Sequence, residues 1–155
     1  MQELDKYLEV FHKILDDLKE LSFTTPDGSS NIKLGGSLIL KLHGLQFSRK
    51  SDDLDVIINN PTDKQKDYIK AMSNFRVDDT KYFSTVNYKF KKEGLYLNIL
   101  LANNPVNGGG LKYKWSHNYY EVNSVLEIIQ AKVSYGRPKD LSDLILLKNE
   151  NFNLK

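Results

Sequence analysis

Hydrophobic positions recur at two periods along this chain, and the switches between them mark out its elements. Leu4, Leu8, Phe11, Leu15 and Leu18 fall three or four residues apart with Lys, Asp and Glu between them, predicting an amphipathic helix over residues 2–21. Pro26-Asp27-Gly28 predicts a turn. Residues 32–34 read as a short strand entering Gly35-Gly36. The apolar run after Ser37 predicts a helix over 37–44, with Ser37 as N-cap and Gly44 just past its end. Residues 46–52 are polar and read as a loop. Residues 54–58 read as a buried strand that Pro61 ends, and Thr62 can cap a helix over 63–75. Residues 82–90 alternate and are rich in Tyr, Phe, Val and Thr, which predicts a strand. Glu93-Gly94 turns the chain and residues 95–102 return antiparallel. Residues 103–110 (NNPVNGGG) predict a flexible loop. One more strand is expected within 113–122. Ser124 then caps a helix through Val125, Ile128, Ile129 and Val133. Pro138 suits the first turn of a last helix over 139–148.

Helices and strands are interspersed, with at least one hairpin, so the predicted class is α/β or α+β with a mixed sheet. At 155 residues, with no linker, repeat or low-complexity tract, residues 1–155 read as a single domain. Lys and Arg exceed Asp and Glu by 22 − 20 = 2, too little to imply a nucleic-acid partner by charge alone. The positive charge is local, at residues 89–92, 112–114 and 137–139. The absence of cysteine excludes disulfides and thiolate zinc sites. The charged N-terminus is not a signal peptide, and no apolar run approaches the roughly 20 residues of a membrane span. A cytoplasmic protein without a membrane partner is the expectation.

The chemistry gathers in residues 34–56, LGGSLILKLHGLQFSRKSDDLDV. Asp53 and Asp55, two apart on a strand, point to one face. Such a pair supplies half a shell for Mg²⁺ (or Mn²⁺), which substrate phosphates complete; an ordinary solvated strand start is the bland alternative. Asp52 faces the other way. Gly35, Gly36 and Ser37 form a bend whose backbone can approach phosphate closely at a helix start, or a plain strand-to-helix turn.

The order of these two elements, a Gly-Gly-Ser bend, a helix, then Asp-x-Asp on the next strand, resembles the nucleotidyltransferase superfamily. The run Arg49-Lys50-Ser51-Asp52-Asp53-Leu54-Asp55 narrows the likeness to AbiEii-type nucleotidyltransferases, toxin components of bacterial abortive-infection systems. Lys132 followed by Arg137-Pro138-Lys139-Asp140-Leu141-Ser142-Asp143-Leu144 is similar to that family's second motif, a lysine on one helix before a basic–Asp-x-x-Asp start of the next. The resemblance spans residues 34–147. It implies a nucleotidyltransferase (polymerase beta-like) fold and transfer of a nucleoside monophosphate from an NTP to an acceptor: RNA, protein or a small molecule. It implies that Gly36 and Ser37 bind the triphosphate and Asp53 and Asp55 hold the metal. Lys132 reaches the phosphates or base, and Asp140 orients Lys132 or acts near the acceptor. A toxin–antitoxin or phage-defence role with an antitoxin partner follows from the same likeness.

The chain departs from the family's pattern at Leu97-Asn98-Ile99. An acid often stands at the middle position there; Asn98 can ligate a metal through its oxygen but cannot act as a general base. The spacer between Gly36 and Asp53 is long, and little follows the last helix. These departures motivate the alternative of a catalytically impaired nucleotide- or partner-binding protein. A plain RNA-binding module using the lysines of 89–92 and 112–114 is a third reading. Arg49 is expected to pair with a phosphate or with Asp52 or Asp53. Arg137 and Lys139 touch the nucleotide or form a solvated helix start. Asp143 lies on the helix surface or partners a lysine. His12, His43 and His117 do not cluster and read as structural. Trp115, Tyr113, Tyr119 and Tyr120 stack on a base or fill the core, and the 103–110 loop is a flap over the site or a surface connection.

Overall fold

The computed structural model describes residues 2–16, 32–51, 53–72, 75–79, 85–102, 112–115 and 118–152. The turn expected at 26–28, the loop at 103–110, Asp52 and His117 lie outside the described residues. The elements run α1 (Gln2–Asp16), β1 (Ile32–Gly35), α2 (Ser37–Leu40), a 3₁₀ turn (Lys41–His43), β2 (Asp53–Asn59), α3 (Asp63–Met72), β3 (Phe75–Asp79), β4 (Thr85–Lys92), β5 (Leu95–Ala102), β6 (Lys112–Trp115), β7 (Asn118–Val122), α4 (Val125–Tyr135) and α5 (Pro138–Asn151). The fold is mixed α/β. Among the described residues seven strands form one sheet, in the order β3-β4-β5-β2-β1-β7-β6. β2 pairs parallel with β5, and β1 parallel with β7; the other neighbours are antiparallel.

Alternation along β2 divides the sheet into two faces. Leu54, Val56 and Ile58 are buried in the core, together with Leu97 and Ile99 of β5 and Tyr88 and Phe90 of β4. Leu4, Leu8 and Phe11 of α1 cover that cluster with Leu38, Ile39 and Leu40 of α2 and Ile69 of α3. Residues of the other parity in β2, Asp53, Asp55, Ile57 and Asn59, face the opposite way.

The expected caps hold at three places. Thr62 and Gln65 exchange side-chain and backbone hydrogen bonds at the start of α3. Ser124 and Glu127 do the same for α4, and Pro138 opens α5. Glu93 (φ 52°) and Gly94 (φ 78°) make the tight β4–β5 hairpin. Three boundaries differ from expectation. α3 stops at Met72, and Phe75 begins β3 because that segment pairs with β4. The single strand expected in 113–122 is a hairpin, β6–β7. Ser37 is not an N-cap: Gly36 takes that place at φ 86°, and Ser37 is the first helical residue with no side-chain cap bond. A positive φ is needed to swing the chain from β1 into α2, and glycine adopts it without strain. Among the described residues no helix is long and apolar enough to cross a membrane.

Candidate active site

A cleft of about 210 Å³ opens over the uncovered face of the sheet, walled by α4 and the start of α5. Asp53, Asp55, Gly36, Ser37, Asn98, Lys132, Arg137, Lys139 and Asp140 all line it. The bend and the acidic pair therefore meet, although sixteen residues separate Gly36 from Asp53. β1 and β2 are antiparallel with Gly35 opposite Asp55, which brings the turn after β1 to the start of β2. A Cβ on Gly36 would lie 3.0 Å from Asp55 Oδ2. Only a glycine fits this approach at this backbone angle.

Asp55 sits between opposed influences. Its burial, and next the charge of Asp53, push its carboxyl up to about 6; the Asn98 hydrogen bond and the positive Lys132 and Lys139 pull the other way. Asn98 Nδ2 donates to Asp53 Oδ2 at 2.5 Å and to Asp55 Oδ1 at 3.1 Å. Asn98 thus meets the carboxylates with its nitrogen and clamps them, whereas its oxygen was the expected metal ligand.

The lysine is fixed by a buried carboxylate from the next helix. Lys132 Nζ donates to Ser37 Oγ at 2.8 Å and to Asp143 Oδ2 at 2.8 Å. Asp143 is only 1 % exposed. It also takes a forked pair of bonds from Arg49, at 2.7 Å from Nε and 2.9 Å from Nη2. Burial would raise the Asp143 carboxyl, but the Arg49 and Lys132 hydrogen bonds outweigh it and hold the carboxyl below its ordinary value.

Three expectations change accordingly, and one alternative is met. Arg49 binds Asp143, a partner not among those expected, and its Nη2 also lies 3.5 Å from Ser37 Oγ at the edge of the cleft. Asp143 partners Lys132, one of its two expected readings, and so takes the orienting role expected of Asp140. Asp140 instead accepts from the Arg137 side chain at 2.7 Å and from its backbone N–H at 3.2 Å, closing the start of α5. Burial would raise the Asp140 carboxyl, and these bonds more than reverse that. Gly35 is not part of the cleft lining: a Cβ there would lie 2.6 Å from Asn123 Nδ2, so Asn123 fills that side.

His12, His43, Tyr113 and Tyr120 do not line the cleft. His43 Nε2 is 2.7 Å from the Asn123 carbonyl, and His12 bonds the Tyr120 hydroxyl. Tyr120 is core, and the Tyr113 hydroxyl donates to Asp5. The side chains of Trp115 and Tyr119 lie outside the described residues.

No family model matches this chain, and no curated protein does. Among solved structures it is similar to JHP933 from Helicobacter pylori, at 14 % identity and a TM-score of 0.40, over 86 % of this chain and 57 % of that one. The chain thus spans less than two thirds of that neighbour.

The donor set suits a hard divalent cation. Two carboxylates share one strand face, and their mutual repulsion is what a cation relieves. Among the described residues no group of three or more His, Cys, Asp or Glu side chains comes together. Two carboxylates with space beside them match an ion that draws its remaining ligands from water and phosphate. Sequence reasoning missed Lys33 and Glu127, which form an ion pair of 2.9 Å in the cleft wall. No spacing links them, since they meet only through the docking of α4 on β1.

Proposed function

We propose that the cleft is the active site of a Mg²⁺- or Mn²⁺-dependent nucleotidyltransferase of AbiEii type, on the nucleotidyltransferase fold. It moves a nucleoside monophosphate from an NTP to an acceptor hydroxyl of RNA, protein or a small molecule. The observation that carries the reading is the 2.8 Å bond from Lys132 to Ser37, directly after a bend that touches Asp55. Positive charge, a glycine bend and an acidic pair thereby share one small space.

In this reading Gly36 and Ser37 receive the triphosphate, and Lys132, held by Asp143, faces its leaving end. Arg137 and Lys139 stand at the mouth. The acceptor oxygen bonds to the α-phosphorus, the bond from that phosphorus to the bridging oxygen breaks, and pyrophosphate leaves with its charge toward Lys132. The acceptor proton passes to water in the open cleft, since Asn98 cannot take it. Bound to Asp53 and Asp55, a divalent ion would neutralise phosphate charge. A toxin role with an antitoxin partner belongs to the same reading.

The test is label transfer from radiolabelled NTPs to cell extract fractions. Asp53→Ala with Asp55→Ala should abolish labelling while circular dichroism stays unchanged; labelling that survives the double substitution removes the mechanism.

A second reading has its own observation. Asn98 donates to both carboxylates, which suits a pair kept quiet, so the protein would bind nucleotide or a partner without turnover. Asn98→Asp discriminates: transfer that appears only in the variant marks an impaired enzyme, and transfer by the wild type removes this reading.

A further inference from the structure

We infer that the cleft holds a nucleobase compartment beyond the acidic pair, floored by Ile57 and Leu100 and read by Asn87. The inference rests on the nucleotidyltransferase reading and adds where a base is recognised. Strand register places the parts. Asp55, Asn98 and Lys89 stand in one row across β2, β5 and β4; two residues along stand Ile57, Leu100 and Asn87. Two residues of strand span ~6.6 Å, the order of one ribose between a reacting oxygen and its base.

Three features of the second row select the ligand. Ile57 and Leu100 lie side by side on the face that turns away from the core, so an apolar floor is offered to the cleft. Ile128 of α4 adds a third apolar group to the lining. Asn87 also lines the cleft, and its Oδ1 is closed from solvent without a hydrogen-bond donor. An acceptor in that condition is costly unless a ligand supplies the missing N–H. A flat ring with an N–H on its edge satisfies both demands. A phosphate has neither the apolar face nor the donor. The Lys33–Glu127 pair borders the same space as a fixed polar wall.

The base belongs to the incoming nucleotide or to the last residue of a polynucleotide acceptor, and two titrations separate them. The full chain is titrated with non-hydrolysable ATP, GTP, CTP and UTP analogues, with single-stranded trinucleotides of each base, and with inorganic tripolyphosphate. Wild type should prefer one base. Asn87→Leu should weaken that preferred ligand ~10-fold and leave tripolyphosphate binding unchanged. Leu100→Ala should weaken all bases alike, ~5-fold. An effect on the triphosphates assigns the compartment to the donor nucleotide, and one on the trinucleotides to the acceptor. Base-bearing ligands that bind equally well to wild type and both variants overturn the inference, as does equal weakening of tripolyphosphate. If wild type binds none of the three ligands, the nucleotidyltransferase reading falls as well.

Discussion

Among the described residues Asp55 carries the clearest electrostatic cost. Its carboxyl is raised from 3.8 to about 6, first by burial and then by Asp53. Between these values the fold holds a proton that the unfolded chain has released. Stability of the metal-free protein therefore falls as pH rises through that window, and the full cost persists above it. Asp55→Asn should raise the metal-free protein's stability at pH 7 by ~1–3 kcal/mol and flatten the profile, as thermal melts across pH will show. Asp143 runs the other way: its lowered carboxyl contributes stability above its ordinary value that is lost as pH falls. Asp143→Ala strands Lys132 and Arg49 and should cost ~3 kcal/mol in denaturant melts, whereas Asp143→Asn keeps part of the bonding and should cost less. At this scale the acidic pair and the bend were legible as one candidate site, because a carboxylate pair on one strand face and a glycine bend are local patterns; Lys132 was picked out only through the family resemblance. The grip of Arg49 on Asp143 was not legible, since they stand 94 positions apart in sequence. Asn87 was not either, for an asparagine on a strand carries no mark of what it faces.

Short elements do the positioning, and their ends decide how well. Gly36 joins β1 to α2 at φ 86° with Asp55 3.0 Å from where a Cβ would stand. Gly36→Ala strains the turn and displaces the carboxylate together. It should cost ~1–2 kcal/mol of stability and, under the proposed function, remove nucleotide binding, checked by melts and titration on the same sample. Capping signals at Thr62, Ser124 and Pro138 were readable because a cap is satisfied locally, within a few residues of sequence. Ser37 had the same signal and was misread: its hydroxyl was claimed by Lys132 from another element. Phe75 failed for a related reason. Helical spacing of apolar residues extends to it, but pairing with β4 outweighs that propensity.

Across the molecule, mixed α/β architecture was visible in the alternation of periods, but strand order was not. The two parallel pairings, β2 with β5 and β1 with β7, join segments far apart in sequence, and periodicity says nothing about partners. These pairings put β5, β2 and β1 in the middle of the sheet and β3 and β6 at its edges. Amides of β2 should accordingly exchange slowest and those of β3 and β6 first in native-state hydrogen exchange. Glu127 ties this frame to the chemistry. Its carboxylate accepts from the Ser124 backbone at 3.0 Å and also holds Lys33 of β1 at 2.9 Å. The helix bearing Lys132 is thereby pinned at its root to the strand beside the acids, like a boom stepped into a deck. Loosening that step would leave the cleft's own side chains intact and still let the ammonium drift, so under the proposed function turnover would be lost through a substitution that never meets a phosphate.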